Sequence, residues 1–287
     1  MNVVISSNYN PLYFQFIPIV CTAWKSFGIN PILTLVTDKP EKDWKWIEEF
    51  AEIRHYPERN DLDPGIWSKL ARFFSYYENL ETKQMITDLD LLPLNKEYFH
   101  KLYEYKNDIL VITDDPFIEG HLRGRPYDEY PMLAGCYQLA TGKVWKEIMN
   151  PNNLSNDDLI NSFKGVWRFR INEDILQPYN VFSEDELMRR LIYNWSPDKT
   201  KIEFLYRPTR TTGNPYYSDR VDRGYWKIDY EVLSKNGYVD SHMLRPLSTY
   251  KDFIQPLVEY LGIDTKLIDL GIKNIKNHYE VFRSNPC

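Results

Sequence analysis

The chain has 287 residues, 43% of them hydrophobic, which is enough for one large α/β domain. It carries 35 Lys and Arg against 41 Asp and Glu, and this net charge of −6 argues against a nucleic-acid partner, which would need a basic surface. Its three cysteines lack metal-ligand or redox spacing and predict a reducing compartment without structural disulfides. No apolar run reaches the roughly 18 residues of a membrane span, so we expect a soluble, cytoplasmic protein that meets any membrane-bound acceptor peripherally.

The first 150 residues alternate strand and helix signals. Strands are predicted at 2–5, 32–36, 83–86 and 108–112, and helices at about 12–27, at about 44–51 and from Asp63 onward. Asp63 is a favourable N-cap residue, and Pro64 is a favourable first residue of a helix. Because helices separate the strands, we expect right-handed βαβ units and a largely parallel sheet.

The second half of the chain gives weaker signals. A turn-rich stretch (114–131) leads to a strand (132–139), a helix (141–149), a linker (151–153), a strand (201–206), an arginine-containing segment (207–224) and two C-terminal helices (about 250–261 and 266–282). Between the linker and the strand at 201, Ser183 and Glu186 form an S-x-x-E capping box, which predicts that a helix begins at Ser183.

Three of the predicted strands end in the same way. Asp38, Asp88 and Asp114 each follow a Thr at the end of a β-rich run. Ligands of parallel α/β sheets bind outside the carboxyl ends of the strands. The three aspartates are therefore predicted to lie on the ligand-binding edge.

Asp88 and Asp90 form a D-x-D pair directly after an apolar strand. In an extended segment, residues two apart project to one side, roughly 6–7 Å apart, so both carboxylates can address one ion. Two carboxylates suit a hard cation such as Mn²⁺ or Mg²⁺, which also binds diphosphate oxygens. The alternative is a pair of solvated carboxylates in a turn.

Over about residues 2–245 the sequence resembles the metal-dependent, GT-A-fold nucleotide-sugar glycosyltransferases. The segments that carry the resemblance, in chain order, are Ser6-Ser7-Asn8, Thr37-Asp38, Ser68-Lys69-Leu70-Ala71-Arg72, Asp88-Leu89-Asp90, Met132-Leu133-Ala134-Gly135-Cys136, Ser183-Glu184-Asp185 and Asp240-Ser241-His242. The D-x-D and its strand context are the specific part, and the other segments gain weight from their order.

The resemblance implies a Rossmann-type α/β fold with a mixed, mostly parallel sheet flanked by helices. It implies one catalytic domain over 1–245, with a nucleotide-sugar-binding half (1–112) and an acceptor-binding half (113–245), followed by a C-terminal helical extension (246–287). The expected reaction moves a sugar from a nucleoside diphosphate sugar, a UDP-sugar being the commonest donor in this family, to a hydroxyl of a glycan acceptor.

The resemblance also implies roles for individual residues. Asp185 is the expected catalytic base of an inverting enzyme, and Asp88, Asp90 and His242 are the expected metal ligands. The donor is expected to contact Ser6, Asn8, Asp38, Lys69, Arg72, Asp88, Leu89 and Gly135. If the enzyme is retaining, Asp185 positions a substrate instead.

Structural explanations exist for most of these residues. Asp38 can cap a turn, and Lys69 with Arg72 can form a solvated helical stripe. The helix dipole favours Asp185 in a first turn without any catalytic role. His242 can be a structural histidine, with Asp240 either orienting it or replacing it as a ligand.

Other assignments stay open. The arginines at 207, 210, 220 and 223 can form a flap over a phosphate or simply a solvated loop. The alternatives to a glycosyltransferase are a sugar nucleotidyltransferase and a non-catalytic glycan-binding module. A nucleotidyltransferase usually needs a glycine-rich phosphate loop after the first strand, and the turn after Ile5 contains no glycine. The sequence leaves the oligomeric state open.

Overall fold

The computed structural model describes residues 1–75, 79–114, 137–168, 183–206 and 219–284. The strands are β1 (Asn2–Asn8), β2 (Asn30–Val36), β3 (Glu52–Tyr56), β4 (Lys83–Ile86), β5 (Leu91–Pro93), β6 (Leu110–Asp114), β7 (Gln138–Thr141), β8 (Ile202–Tyr206), β9 (Arg220–Val221) and β10 (Asp240–His242). The helices are α1 (Pro11–Phe14), α2 (Ile17–Ser26), α3 (Pro64–Ser75), α4 (Lys96–Leu102), α5 (Gly142–Met149), α6 (Asn156–Arg168), α7 (Ser183–Trp195), α8 (Tyr230–Ser234), α9 (Leu247–Tyr260) and α10 (Lys266–Ser284). Short 3₁₀ turns lie at Glu41–Asp43, Lys45–Glu49 and Arg223–Tyr225.

The main sheet has seven strands in the order β3-β2-β1-β4-β7-β6-β8. β7 runs antiparallel to both of its neighbours, and the other pairs are parallel. In the middle of the sheet Val4 pairs with Ile32 on one side and Ile86 on the other, and all three are fully buried. The predicted mixed, mostly parallel sheet is therefore confirmed.

Apolar side chains fill both faces of this sheet, because successive residues of a strand point to opposite faces. One cluster contains Val3 and Ile5 together with Trp24 of α2. The other contains Val4 together with Phe73 of α3 and Trp145 of α5. Helices cover both faces, which explains why the strands read as nearly continuous hydrophobic runs.

A second, three-stranded sheet has the order β5-β10-β9. β10 is antiparallel to β5, with His242 opposite Leu91, and parallel to β9, with Ser241 opposite Val221. The amide of Met243 donates to the carbonyl of Asp90 at 2.8 Å and continues the pairing by one residue. This small sheet brings the segment around residue 240 to the chain that follows β4.

The C-terminal helices share the core of the domain. Ile254 of α9 and Ile268 of α10 are fully buried in the same cluster as the strands. Gly271 of α10 lies so close to the backbone of Gln15 that a Cβ at this position would be 2.1 Å from the Gln15 carbonyl oxygen. Only a glycine permits this approach of α10 to the segment between α1 and α2.

Several predicted elements were wrong in detail. The helix predicted at 12–27 is two helices, because Pro18 lies in the first turn of α2, where proline is tolerated but cannot continue an earlier helix. The segment predicted as a helix at 44–51 forms 3₁₀ turns, and β3 follows it. β1 extends to Asn8, so Ser6-Ser7-Asn8 lies in a strand rather than a turn. The predictions also omitted β3, the helices α4, α6 and α8, and the three strands of the small sheet. Within the described ranges, no helix is both long and apolar enough to span a bilayer.

Candidate active site

The three strand-terminal aspartates lie on one edge of the main sheet. β2, β4 and β6 have the same direction, since β6 and β4 are both antiparallel to β7. Asp38 and Asp88 follow β2 and β4, and Asp114 is the last residue of β6. The predicted carboxyl edge is thus confirmed by the topology, and the side chain of Asp114 lies outside the described part.

The D-x-D segment is a turn and not the extended continuation of β4 that the sequence suggested. β4 ends at Ile86, and the amide of Leu91 donates to the carbonyl of Asp88 at 3.2 Å. The side chain of Leu89 is buried in the core between the two carboxylates, so any contact with a donor would use its backbone. Because of this turn, the side chains of Asp88 and Asp90 have different surroundings.

Asp90 is buried and faces two guanidinium groups and one imidazole ring. Its Oδ2 lies 3.1 Å from Nη1 of Arg223, 3.3 Å from Nε2 of His242 and 3.8 Å from Nε of Arg245. The guanidinium of Arg245 also stacks over the ring of Tyr13, with its central carbon 4.6 Å from the ring centroid. A charged ligand that binds at Asp90 would therefore contact charged side chains that the protein already holds in place.

His242 lies between two carboxylates. Its Nε2 faces Asp90, and its Nδ1 lies 3.4 Å from Oδ2 of Asp222. Oδ1 of Asp222 accepts a 2.7 Å hydrogen bond from the amide of Gly224 and thereby caps the 3₁₀ turn that carries Arg223. One aspartate consequently fixes both the histidine and the turn of the neighbouring arginine.

The ionisation of this cluster departs from ordinary values. Burial by itself lowers the pKa of His242, but its contacts with Asp222 and Asp90 outweigh burial and raise that pKa. Burial raises the pKa of Asp90 and of Asp222, but in each case the contact with His242 is the main factor that turns the net shift downward. At neutral pH the ligand-free cluster holds two carboxylates against cationic side chains.

Asp88 has different surroundings. Its side chain is about half exposed, at 52%, and its Oδ1 lies 3.3 Å from Nη1 of Arg72, whose side chain is buried on α3. Lys69 is partly buried one turn earlier on the same helix. The basic helix therefore reaches the D-x-D turn through Arg72, and the interpretation of Arg72 as part of a solvated stripe is wrong.

The predicted nucleoside side of the site also carries structural bonds. Oδ1 of Asp38 accepts a 2.9 Å hydrogen bond from the amide of Glu58, which ties the end of β2 to the loop after β3. Ser6 and Asn8 are partly buried in β1, and the carbonyl of Asn8 accepts from the hydroxyl of Ser7 at 2.6 Å. β1 is parallel to β4 and so ends on the same edge of the sheet, and contact of these residues with a nucleoside stays a prediction.

Asp240 does not orient His242. Both of its oxygens bind Arg220, at 2.6 Å from Nε and 2.8 Å from Nη2, and both side chains are buried. The pair joins β10 to β9 within the small sheet. Arg220 is accordingly a structural residue rather than part of a phosphate-gripping flap, whereas Arg223 of the same predicted flap contacts Asp90.

Four of the predicted residues lie wholly or with their side chains outside the described part. Gly135 lies outside the described residues, as do Arg207 and Arg210 of the predicted flap. α7 begins at Ser183, as the capping box predicted, so Asp185 lies in its first turn, but the side chain of Asp185 is likewise outside the described part.

The sequence did not identify Asp222 or Arg245 as site residues. Asp222 stood in a segment without strand or helix periodicity, and Arg245 belonged to no motif. The available signal was that Asp222 precedes Arg223-Gly224, a pattern in which Asp caps a tight turn.

The residues at Asp90 fit a divalent cation. A carboxylate oxygen and an imidazole nitrogen meet there, and both are ligands for Mn²⁺. Among the described residues, no three His, Cys, Asp or Glu side chains form a group that could hold a metal ion. Mg²⁺-type sites of nucleotide enzymes are commonly held by one or two carboxylates plus substrate phosphates, so a full protein cage is not required.

The chain has a GT-A fold, and the solved structures to which it is similar are glycosyltransferases. The galactosyltransferase LgtC, solved with donor and acceptor sugar analogues, has a TM-score of 0.53 and 12% identity to this chain over 91% of this chain and 95% of its own. An active-site variant of LgtC covers the same shares with a TM-score of 0.53 at 11% identity. The glycosyltransferase GlyE of Streptococcus pneumoniae TIGR4 has a TM-score of 0.47 at 13% identity over 93% of this chain and 61% of its own.

No protein-family model matches the sequence, and no curated protein matches it. At 11–12% identity the similarity to LgtC establishes the fold alone, and the chemistry has to be argued from the site.

Proposed function

We propose that this protein is a glycosyltransferase that moves a sugar from a nucleoside diphosphate sugar, a UDP-sugar, to a hydroxyl of a glycan acceptor. The observation that carries the proposal is the 3.3 Å contact between Asp90 and His242 on the carboxyl edge of the sheet. The similarity of the fold to LgtC, a galactosyltransferase, supports the same reaction class.

Asp90 and His242 would hold Mn²⁺ or Mg²⁺ together with oxygens of the donor diphosphate, and Asp88 is the third candidate ligand. When bound, the metal neutralises the charge that develops on the leaving diphosphate. The carboxylate of Asp88 is half exposed beside Arg72, so it remains accessible from solvent.

Arg223 and Arg245 add positive charge beside the proposed metal site. Arginine recognises phosphate through paired N–H groups, and its charge persists at any physiological pH. Both guanidinium groups lie within 4 Å of Asp90, and this proximity supports a role for them beside the proposed diphosphate. They would stabilise the nucleoside diphosphate both as donor and as leaving group.

Asp185 is the proposed base. The dipole of α7 favours an ionised carboxylate in the first turn, and an ionised carboxylate is what accepts a proton from the attacking hydroxyl. Removal of that proton by Asp185 gives direct displacement and inversion at the anomeric carbon.

Calorimetric titration of UDP and GDP, each with Mn²⁺ and with EDTA, tests the donor site. We expect one nucleotide, UDP, to bind only with Mn²⁺, and Asp90→Asn to abolish that metal dependence. Asp252→Asn, an exposed aspartate on α9, is the matched control and is expected to bind UDP like the wild type.

The outcomes separate the candidate functions. Metal-dependent binding of UDP, followed by Mn²⁺-stimulated release of UDP from a UDP-sugar, supports a transferase. Failure of the wild type to bind either nucleotide overturns the proposal and favours a glycan-binding module, which a glycan array then detects.

A further inference from the structure

The contact of His242 with Asp222 is not explained by the proposed metal ligands alone. Asp222 is buried, and its two oxygens have different partners: Oδ1 accepts from the amide of Gly224 at 2.7 Å, and Oδ2 lies 3.4 Å from Nδ1 of His242. The side chain is therefore fixed in orientation, with one oxygen kept for the histidine ring.

The register of the small sheet produces this arrangement. β9 and β10 are parallel, and Val221 pairs with Ser241, so Asp222 and His242 are the residues that follow the last pair on each strand. On the other side of β10, His242 pairs with Leu91, the residue after Asp90. Asp90, directly before β5, and Asp222, directly after β9, thus flank His242 on its two sides.

The two ring nitrogens of a histidine are chemically distinct. A ring that ligates a metal through Nε2 must carry its hydrogen on Nδ1, and a carboxylate that accepts from Nδ1 holds it in that form. In His242 it is Nε2 that faces Asp90, and Nδ1 that faces Asp222.

We propose that Asp222 is a positioning residue that keeps the hydrogen of His242 on Nδ1 and directs the lone pair of Nε2 to the cation site at Asp90. This inference rests on the proposed function, since it assigns a role in the same metal site. In this arrangement Asp222 would act through His242 and would not itself ligate the metal or bind the sugar donor.

Asp222→Asn is the decisive variant, because it changes one atom at the histidine. The amide oxygen of Asn keeps the hydrogen bond from Gly224, since Asn caps turns as well as Asp. Its NH₂ group then replaces Oδ2 and donates to Nδ1, which forces the ring hydrogen onto Nε2. We expect Mn²⁺ affinity in the presence of UDP to fall about 10–100-fold, the effect typical of lost outer-shell partners.

The control is Asp229→Asn. Asp229 also accepts backbone amides, those of Glu231 and Val232, and so caps α8 with the same chemistry. It is expected to keep wild-type Mn²⁺ affinity. Thermal unfolding of both variants shows that any difference between them does not come from loss of the fold.

A second readout reports the ring directly. In nitrogen NMR of metal-free protein in alkaline buffer, where the ring is neutral, His242 should carry its hydrogen on Nδ1 in the wild type and on Nε2 in Asp222→Asn. If Asp222→Asn does not fold, the wild type with Mg²⁺ and UDP still tests the inference, because hydrogen on Nε2 would overturn it.

The result distinguishes two failures. A wild type that binds no Mn²⁺ contradicts the proposed metal site and therefore the proposed function. A wild type that binds Mn²⁺, together with an Asp222→Asn variant that binds it equally well and keeps the hydrogen on Nδ1, overturns the role of Asp222 alone.

Discussion

Oδ2 of Asp90 lies 3.3 Å from Nε2 of His242, although the two residues come from distant parts of the chain. The contact exists because β5, which begins directly after Asp90, is antiparallel to β10, which ends at His242. The proposed cation site is therefore built by backbone pairing, and residues that maintain this pairing affect the site without touching a substrate.

The first prediction concerns pH. Protons compete with the metal for Nε2 of His242. Because the pKa of this histidine is raised above 6.5, Mn²⁺ binding should be lost at a higher pH than it would be with an ordinary histidine. Calorimetry of Mn²⁺ with UDP in two buffers of different ionisation enthalpy should show proton release on binding. His242→Gln should remove the proton release, and wild-type binding without proton release would contradict the prediction.

The same shifts predict the pH dependence of stability in the metal-free protein. Because the pKa of His242 is raised in the folded protein, its contacts contribute stability that is fully present below pH 6.5. This stability is lost as the pH rises through the folded-state pKa. The lowered pKa of Asp90 and of Asp222 contributes stability that is complete above 3.8 and is lost as pH falls through the folded-state values. Urea unfolding at a series of pH values should show that these groups contribute most to the free energy of unfolding between pH 3.8 and pH 6.5. This pH dependence should flatten in His242→Gln.

Arg245 is predicted to recognise the diphosphate and not the nucleoside. Arg245→Gln keeps a polar side chain but removes the charge beside Asp90. Because charge-assisted hydrogen bonds are worth about 1.5–3 kcal/mol, the variant should lose affinity for the diphosphate roughly 10–100-fold. Titration should show this loss for UDP with Mn²⁺ and no loss for uridine. Lys251→Gln, which removes a charge on α9, is the control, and equal weakening of UDP and uridine would argue against the assignment.

Asp240 is predicted to act on stability and not on the metal. Asp240→Asn leaves the buried guanidinium of Arg220 without its carboxylate, and breaking a buried ion pair typically costs about 3–5 kcal/mol in the free energy of unfolding. Urea unfolding measures the loss, with Asp269→Asn in the exposed Lys251–Asp269 pair as a control expected to change by about 0–1 kcal/mol. Folded Asp240→Asn should bind Mn²⁺ with UDP normally, and weakened binding would return Asp240 to the site.

Asp185 is predicted to serve the transfer step. Asp185→Asn removes the proposed base but keeps the size of the side chain, so UDP binding with Mn²⁺ should be preserved while transfer falls about 100-fold or more. Glu184→Gln, one residue earlier on α7, is expected to retain transfer. Parallel loss of donor binding and transfer in Asp185→Asn would identify Asp185 as structural.

The sequence by itself determined the outline of the fold and the edge that carries the site. Apolar runs identified most strands of the main sheet, though not β3, because strands buried on both faces must be continuously apolar. The same pattern placed Asp38 and Asp88 at strand ends, and the capping box located the start of α7 at Ser183. These features depend on neighbours in the chain, so they can be read locally.

Only the tertiary structure decided which side chains meet at Asp90. β5, β9 and β10 have two or three residues each, too few for a periodic signal, and yet they place Asp222 and His242 beside Asp90. Their register also assigned Asp240 to Arg220 instead of to His242. The partners of a buried charge are set by pairing between distant segments, which no local pattern encodes.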